Sequence, residues 1–348
     1  MAGHLALQGY VVSLWNRSEE KVRWINRRGG IQLEGHLREF ASPDLVTTSM
    51  EMAVTGARVI MVTVPASAHA EVARLMAPYL VDGQIVVLNP GRTGGAFEFR
   101  HALLRAGCDR NVVVAEASTF IYASRALEPG RCYVYGIKKR VPIAALPSSR
   151  TMEVLRALKR AYPQFVPAEN CLYTSFDNIG AVFHPLPTIL NAGRIEDTGG
   201  AFEHYRQGIT PSVGKVLEAL DAERLAVAQA YGVQARSCLE WMEKTYGVKE
   251  RTIADAVKAN HAYEGIKAPP DLNTRYIWED VPYSLVPLVA LARIARVKTP
   301  VMEAAIQIAS SLHGVDYWKI GRKGREMGIS GMTVEEIQRF AIEGGDEL

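Results

Sequence analysis

Four cysteines stand in 348 residues, at Cys108, Cys132, Cys171 and Cys238, and no two form a CxxC pair. That spacing argues against a disulfide framework or a thiolate zinc site and suits reduced thiols in a cytoplasm. No apolar run approaches the roughly 20 residues of a membrane-spanning helix. The opening residues have neither the basic start nor the small-residue cleavage site of a secretion signal. The net charge is only +3, from 40 basic and 37 acidic side chains, with no basic run. Nucleic acid and membrane surfaces are therefore not expected partners. The eight histidines form no HExxH or other ligand cluster, so no metal is expected. What is there, 48% hydrophobic and 22% charged residues, suits a globular chain with room for two domains.

The first 147 residues alternate strand and helix signals. Met1–Gly9 reads as the back half of a helix closed by glycine, and Tyr10–Trp15 as a buried strand. Ser18 can cap the following helix, Glu19 and Glu20 suit its positive end, and Gly29-Gly30 stops it. The runs Val59–Val64, Gln84–Gly91 and Asn111–Ala117 are apolar strands of the kind covered on both faces. Between the first two, Val72, Leu75, Met76 and Tyr79 predict one apolar helix stripe. Cys132–Lys139 and the segment before it predict an edge hairpin. After Pro147 helical signals dominate: Thr151–Tyr162, Phe176–Arg194, Val213–Tyr231, Ser237–Tyr246, Thr252–Asn260, Leu285–Ala295, Pro300–Leu312 and Val334–Ile342. The predicted fold is α/β, a Rossmann-type doubly wound parallel sheet over 1–147, followed by an all-helical domain over 148–348.

In such a sheet the first strand enters a glycine-rich turn, and the end of the second strand holds a dinucleotide's ribose. The half helix and Tyr10–Trp15 match the first helix and second strand. The reading therefore expects a first strand and glycine turn, about a dozen residues, ahead of this chain. A start codon placed too late, a trimmed chain and a decayed relative would each explain it. Asn16-Arg17-Ser18 falls at the ribose position. No acid stands there, and Arg17 can pair with a phosphate, which favours NADP(H) over NAD(H). The turn also reads simply as a polar helix start. Val64, Pro65 and Glu116 are assigned to the cofactor side as well.

Two stretches of the helical half stand out. In FDNIGAVFHPLPTILNAG, Phe176–Gly193, His184 sits at a helix irregularity forced by Pro185 and Pro187. It reads as a buried histidine at a kink or as a general acid/base. In LNTRYIWEDVPYSLVPL, Leu272–Leu288, Arg275 and Asp280 stand among aromatics. They read as a structural ion pair, or as a carboxylate clamp and a histidine-orienting acid.

These stretches, together with HLALQG, VIMVTVPASAH, LNPGRTGGAFEFR, EHYRQGITPSVG, the DAER of Asp221–Arg224 and LNTRYIWEDV, resemble the opine dehydrogenase family along essentially the whole chain. The resemblance implies that an amino acid's amine joins an α-keto acid and that a nicotinamide cofactor reduces the imine. It implies His184 as the catalytic histidine, Asp280 as its partner and Arg275 as a substrate-binding residue. A homodimer is expected by the same token. The chain departs from the family in lacking the glycine fingerprint before HLALQG. The alternatives are a ketopantoate-reductase-like or glycerol-phosphate-dehydrogenase-like oxidoreductase, which would rely on a lysine, and an inactive relative left as a binding or dimerisation protein.

Overall fold

The computed structural model describes residues 1–345. One compact unit takes Met1–Gly91, Gly95–Cys171 and the described end of the chain from 342; the other takes Arg92–Gly94 and Leu172–Ala341.

The first unit begins with α1 (Ala2–Leu7), whose end leads into Gly9 at φ +78°. The next strand, β1 (Ser13–Trp15), is shorter than Tyr10–Trp15. The reason is local: Val11 is exposed, and the Val12 N–H donates to Asp44 (2.8 Å). In α2 (Glu19–Arg28) the Ser18 hydroxyl accepts from the Lys21 N–H, and Gly29 closes the helix in the left-handed region. There follow β2 (Ile31–Gly35), β3 (Phe40–Ala41), β4 (Leu45–Thr47), α3 (Met50–Val54), β5 (Val59–Val62), α4 (His69–Met76) and β6 (Ile85–Leu88). The remainder is α5 (Gly95–Arg105), β7 (Val113–Ala117), β8 (Tyr122–Glu128), β9 (Arg131–Ile137), β10 (Val141–Leu146), α6 (Thr151–Leu158) and β11 (Phe165–Pro167).

Five strands form the main sheet in the order β11-β10-β7-β6-β5. β5, β6 and β7 are parallel, with Val62 opposite Leu88 and Leu88 opposite Glu116. β10 runs antiparallel to β7, so the sheet is mixed at that side. β1 pairs with β4 in a separate parallel pair.

Three expectations are corrected here. α4 buries His69, Val72, Ala73 and Met76, while Leu75 and Tyr79 are exposed. Pro78 tightens the chain into a 3₁₀ turn after Met76, and the inward face is set by the small Ala73. The hairpin β8–β9 forms, but β9 lies inside a four-stranded sheet, paired in parallel with β2. The unit boundary falls at Cys171/Leu172 rather than after Pro147. β11 extends the main sheet through Val141 opposite Phe165, and α6 buries Val154 and Leu158 in the same core.

The second unit is helical apart from one isolated bridge, Glu203 to Lys267. The expected single stretch Phe176–Arg194 is broken into α7 (Cys171–Phe176), α8 (Gly180–Phe183), α9 (Pro185–Leu190) and α10 (Ala192–Thr198). Pro185 and Pro187 lack the N–H groups that a continuous helix needs. The centre of the unit is α11 (Pro211–Ala230), capped by Thr210 and buried through Leu217, Leu220 and Val227. Further helices are Cys238–Tyr246, Ile253–Ala259, Val286–Ile294, Pro300–His313 and Val334–Glu343. Among the described residues no helix is long and apolar enough to cross a membrane.

Candidate active site

The chain break between α8 and α9 places His184 at the end of one short helix and the start of the next. Its carbonyl accepts from the Thr188 hydroxyl (2.8 Å), which fixes the first turn of α9. Its Nδ1 lies 2.9 Å from Asp280 Oδ2. Because ionised Asp280 can only accept, Nδ1 carries the hydrogen and Nε2 is the nitrogen left for chemistry. The imidazole keeps 22% of its side-chain exposure, while Asp280 is fully buried.

Asp280 ends the short helix Arg275–Trp278 and opens a π-helical turn, Val281–Leu285. Such wide turns re-aim side chains and recur at functional sites. Asp280 Oδ1 accepts from Ser284 (3.3 Å) and faces Arg92 Nη1 (3.0 Å). Asn178 donates to Ser284 (2.9 Å), extending the network to the α7–α8 junction. Burial pushes the Asp280 carboxyl upward, but Arg92 first, and then His184, outweigh it and hold the group below its ordinary value.

The ring of Tyr276 stacks on His184 at 4.3 Å and 13°. The Tyr276 ring also has His204 at 5.0 Å, tilted by 40°. Burial, then the neighbouring His184, lower His204 to about 4, so it is neutral at pH 7.

The sequence offered Arg275 either as an ion-pair partner of Asp280 or as a substrate clamp; the carboxylate it meets in the structure is that of Glu279. The Arg275 guanidinium approaches it with Nε at 2.8 Å and Nη2 at 2.6 Å, and keeps 54% of its side-chain exposure. The structure thus brings His184, Asp280 and Arg275 into one neighbourhood and adds Arg92, Glu279, Tyr276 and His204, which the reading missed. Glu279 was legible as the i+4 partner of Arg275. Arg92 stood in the quoted GRTGG, but only the folded turn reveals its reach.

The residues assigned to the cofactor lie in the first unit. Asn16 Oδ1 accepts from the Ser18 N–H (2.9 Å) and Ser18 caps α2, so both oxygens serve the turn itself. Arg17 projects from it, 77% exposed, with Glu71 at 3.4 Å. Val64 is half-buried and Pro65 exposed, in the loop after β5. Glu116 is fully buried, and its carboxylate accepts from the Ala96 N–H (2.7 Å) at the start of α5. Gly91 packs so closely on it that a Cβ there would stand 2.1 Å from Glu116 Oε2. Glu116 therefore shapes the turn after β6. Among the described residues no group of three His, Cys, Asp or Glu could hold a metal ion.

The chain thus joins an α/β unit, with an exposed arginine after a parallel strand, to a helical unit that holds a histidine–aspartate pair beside two arginines. Residues 167–313 match the family model for the NAD/NADP octopine/nopaline dehydrogenase alpha-helical domain. An opine dehydrogenase of Arthrobacter sp. (strain 1C) is 43% identical over 343 residues, 98% of this chain and 95% of the relative. The solved structure of octopine dehydrogenase with NADH and L-arginine superposes at TM-score 0.81 and 23% identity, covering 100% of this chain and 95% of that one. Yersinopine dehydrogenase with NADP+ bound gives TM-score 0.68 at 18% identity, covering 99% and 96%. The chain belongs to the opine dehydrogenase family and is an NAD(P)-dependent oxidoreductase acting on CH–NH groups. The lysine-based alternatives are not favoured.

Proposed function

We propose that the chain condenses an α-keto acid of the pyruvate type with the α-amino group of an L-amino acid and reduces the imine, and that in reverse it dehydrogenates the secondary amine. The observation that carries this reading is the buried pair His184–Asp280 with Arg275 alongside. The bound nicotinamide supplies or takes the hydride. The Arg17 guanidinium fits the phosphate-bearing ribose end of that cofactor, with Asn16 and Ser18 shaping its turn and Val64 and Pro65 at the neighbouring strand end. We favour NADP(H) over NAD(H) on this ground.

His184 Nε2 takes a proton from the amino acid's ammonium group, which makes the nitrogen nucleophilic toward the keto carbon. Attack gives a carbinolamine in which the nitrogen passes a second proton to the former carbonyl oxygen, and His184 returns the first proton to that hydroxyl, which leaves as water as the carbon–nitrogen double bond forms. Asp280 holds the tautomer and stabilises the imidazolium. The Nε–Nη2 edge of Arg275 is taken by Glu279, so a substrate carboxylate is received end-on, at Nη1. That still orients the reacting carbon. A cytoplasmic homodimer is the setting we propose for this activity, in keeping with four free cysteines.

The test is NADPH oxidation with pyruvate and a panel of L-amino acids. We expect oxidation that needs both substrates, and a fall of about 10²–10⁴-fold in His184→Ala. Turnover at the wild-type rate in that variant would overturn the role of His184.

A further inference from the structure

Arg92 adopts φ +61°, a left-handed backbone that costs a side-chain-bearing residue energy. Its three-residue turn is held within the helical unit. The Thr93 N–H donates to the Tyr283 carbonyl, the Thr93 carbonyl accepts from Arg322, and the Gly94 N–H donates to Ser175 Oγ. So anchored, the guanidinium reaches between two carboxylates, with Nη1 3.0 Å from Asp280 Oδ1 and Nε 3.5 Å from Glu279 Oε1. Glu279 has a closer cation in Arg275, at 2.6 Å.

We propose that Arg92 is a positioning residue that acts as the standing counter-ion of Asp280, and that its presence lets His184 give up its proton. The proposal rests on the reading of His184 as the proton carrier. The reasoning is electrostatic. A fully buried carboxylate facing an imidazolium alone would resist losing that proton, because the loss leaves a bare buried anion. The two groups would then titrate as one pair with raised proton affinity. Arg92 on the second oxygen removes that obstacle: when His184 is neutral, Asp280 still has an ion-pair partner. The other groups around His184 do not substitute for it. Tyr276 stacks on the ring, His204 behind it is neutral, and Arg275 is engaged by Glu279.

The test is an NMR titration of the His184 imidazole in the full chain, in wild type, Arg92→Met and Arg92→Lys, with the Asp280 Cγ followed in wild type. We expect the His184 midpoint to rise by about one pH unit or more in Arg92→Met. Arg92→Lys should bring it back toward wild type. In the range where His184 titrates, the wild-type Asp280 Cγ should show only the small change of a carboxylate sensing its neighbour, without the large change that marks carboxyl protonation. In the oxidative direction, the pH below which kcat falls should move upward in Arg92→Met, with the KM for substrate little changed. An unmoved or lowered midpoint in Arg92→Met, or an Asp280 Cγ change as large as carboxyl protonation coincident with the His184 titration in wild type, would overturn the proposal. If Arg92→Met does not fold, Arg92→Gln, uncharged and still able to donate to Asp280, is titrated in its place, with the same rise expected and an unmoved midpoint again overturning the proposal. Wild-type turnover by His184→Ala would overturn the underlying reading, and the titration tells that failure from a failure of Arg92.

Discussion

A Cβ added to Gly180 would stand 2.8 Å from Arg92 Nη1 and 3.3 Å from His184 Cε1. The glycine is there because two functional side chains cross over its backbone. Gly180→Ala should therefore cost little stability, about 1 kcal/mol, since a guanidinium can shift. It should cost more in rate, about 10–100-fold in kcat, because a small misplacement of acid–base groups is expensive. Thermal melting and steady-state kinetics on the same sample check the split. An equal loss in both would mean that Gly180 serves packing alone.

The contrast between Gly180 and His184 shows what was legible. His184, Asp280 and Arg275 announced themselves by residue type in apolar, proline-bent surroundings. The strands Val59–Val62, Ile85–Leu88 and Val113–Ala117 announced themselves as short apolar runs. Gly180 and Arg92 could not, because their importance lies in a crossing between residues 88 positions apart. The four-stranded sheet was hidden for a related reason. β2 meets β9 across about a hundred residues, and neither run is apolar enough to be read as buried on both faces. The helix break at Pro185 was signalled by proline and the one around Asp177 was not, and a single helical stretch was expected because the apolar pattern runs through both.

Arg224 is fully buried on α11 and holds the end of α7. Its Nε and Nη2 donate to Asp221 Oδ1 at 2.9 and 2.6 Å, Nη2 also donates to the Arg236 carbonyl (2.6 Å), and Nη1 donates to the Phe176 carbonyl. Asp221 in turn accepts from the Cys238 N–H (2.8 Å). Arg224→Met leaves a buried carboxylate and two carbonyls without their cation, a loss of about 3–5 kcal/mol. Urea denaturation should show it. The double variant Asp221→Asn/Arg224→Met should recover part of the loss, because the stranded charge is gone. A double variant as unstable as the sum of the single ones would mean that the two residues do not act as a pair.

His204 gives the fold a pH dependence whose sign is fixed. Its folded value is lowered to about 4, from 6.5, by burial first and His184 second. Below pH 6.5 the unfolded chain binds a proton that the folded one refuses, so stability falls as pH drops from 6.5 toward 4 and levels off below. At about 1.4 kcal/mol per unit the full effect is roughly 3 kcal/mol. His204→Phe keeps the ring between Tyr205 and Tyr276 and has no proton to take up. Its stability should be nearly flat across this window, where wild type loses ground. Urea melts at pH 7, 5.5 and 4.5 compare the two. Parallel losses in both proteins would assign the acid sensitivity to other groups.

Arg17 carries the expectation about cofactor choice. Its side chain is 77% exposed and its partner Glu71 43% exposed, 3.4 Å away. A surface pair of this kind contributes little, so a doubly charged phosphate can displace the carboxylate. Arg17→Ala should weaken NADPH binding about tenfold and leave NADH binding nearly unchanged. Glu71→Gln should act the other way and tighten NADPH by a small factor, since it releases the guanidinium. Both effects should shrink as salt rises, because the group is exposed. Nicotinamide fluorescence titrations with the two cofactors at two salt concentrations read all of this. Equal weakening of NADH and NADPH in Arg17→Ala would mean that the arginine shapes the turn and does not recognise the 2′-phosphate.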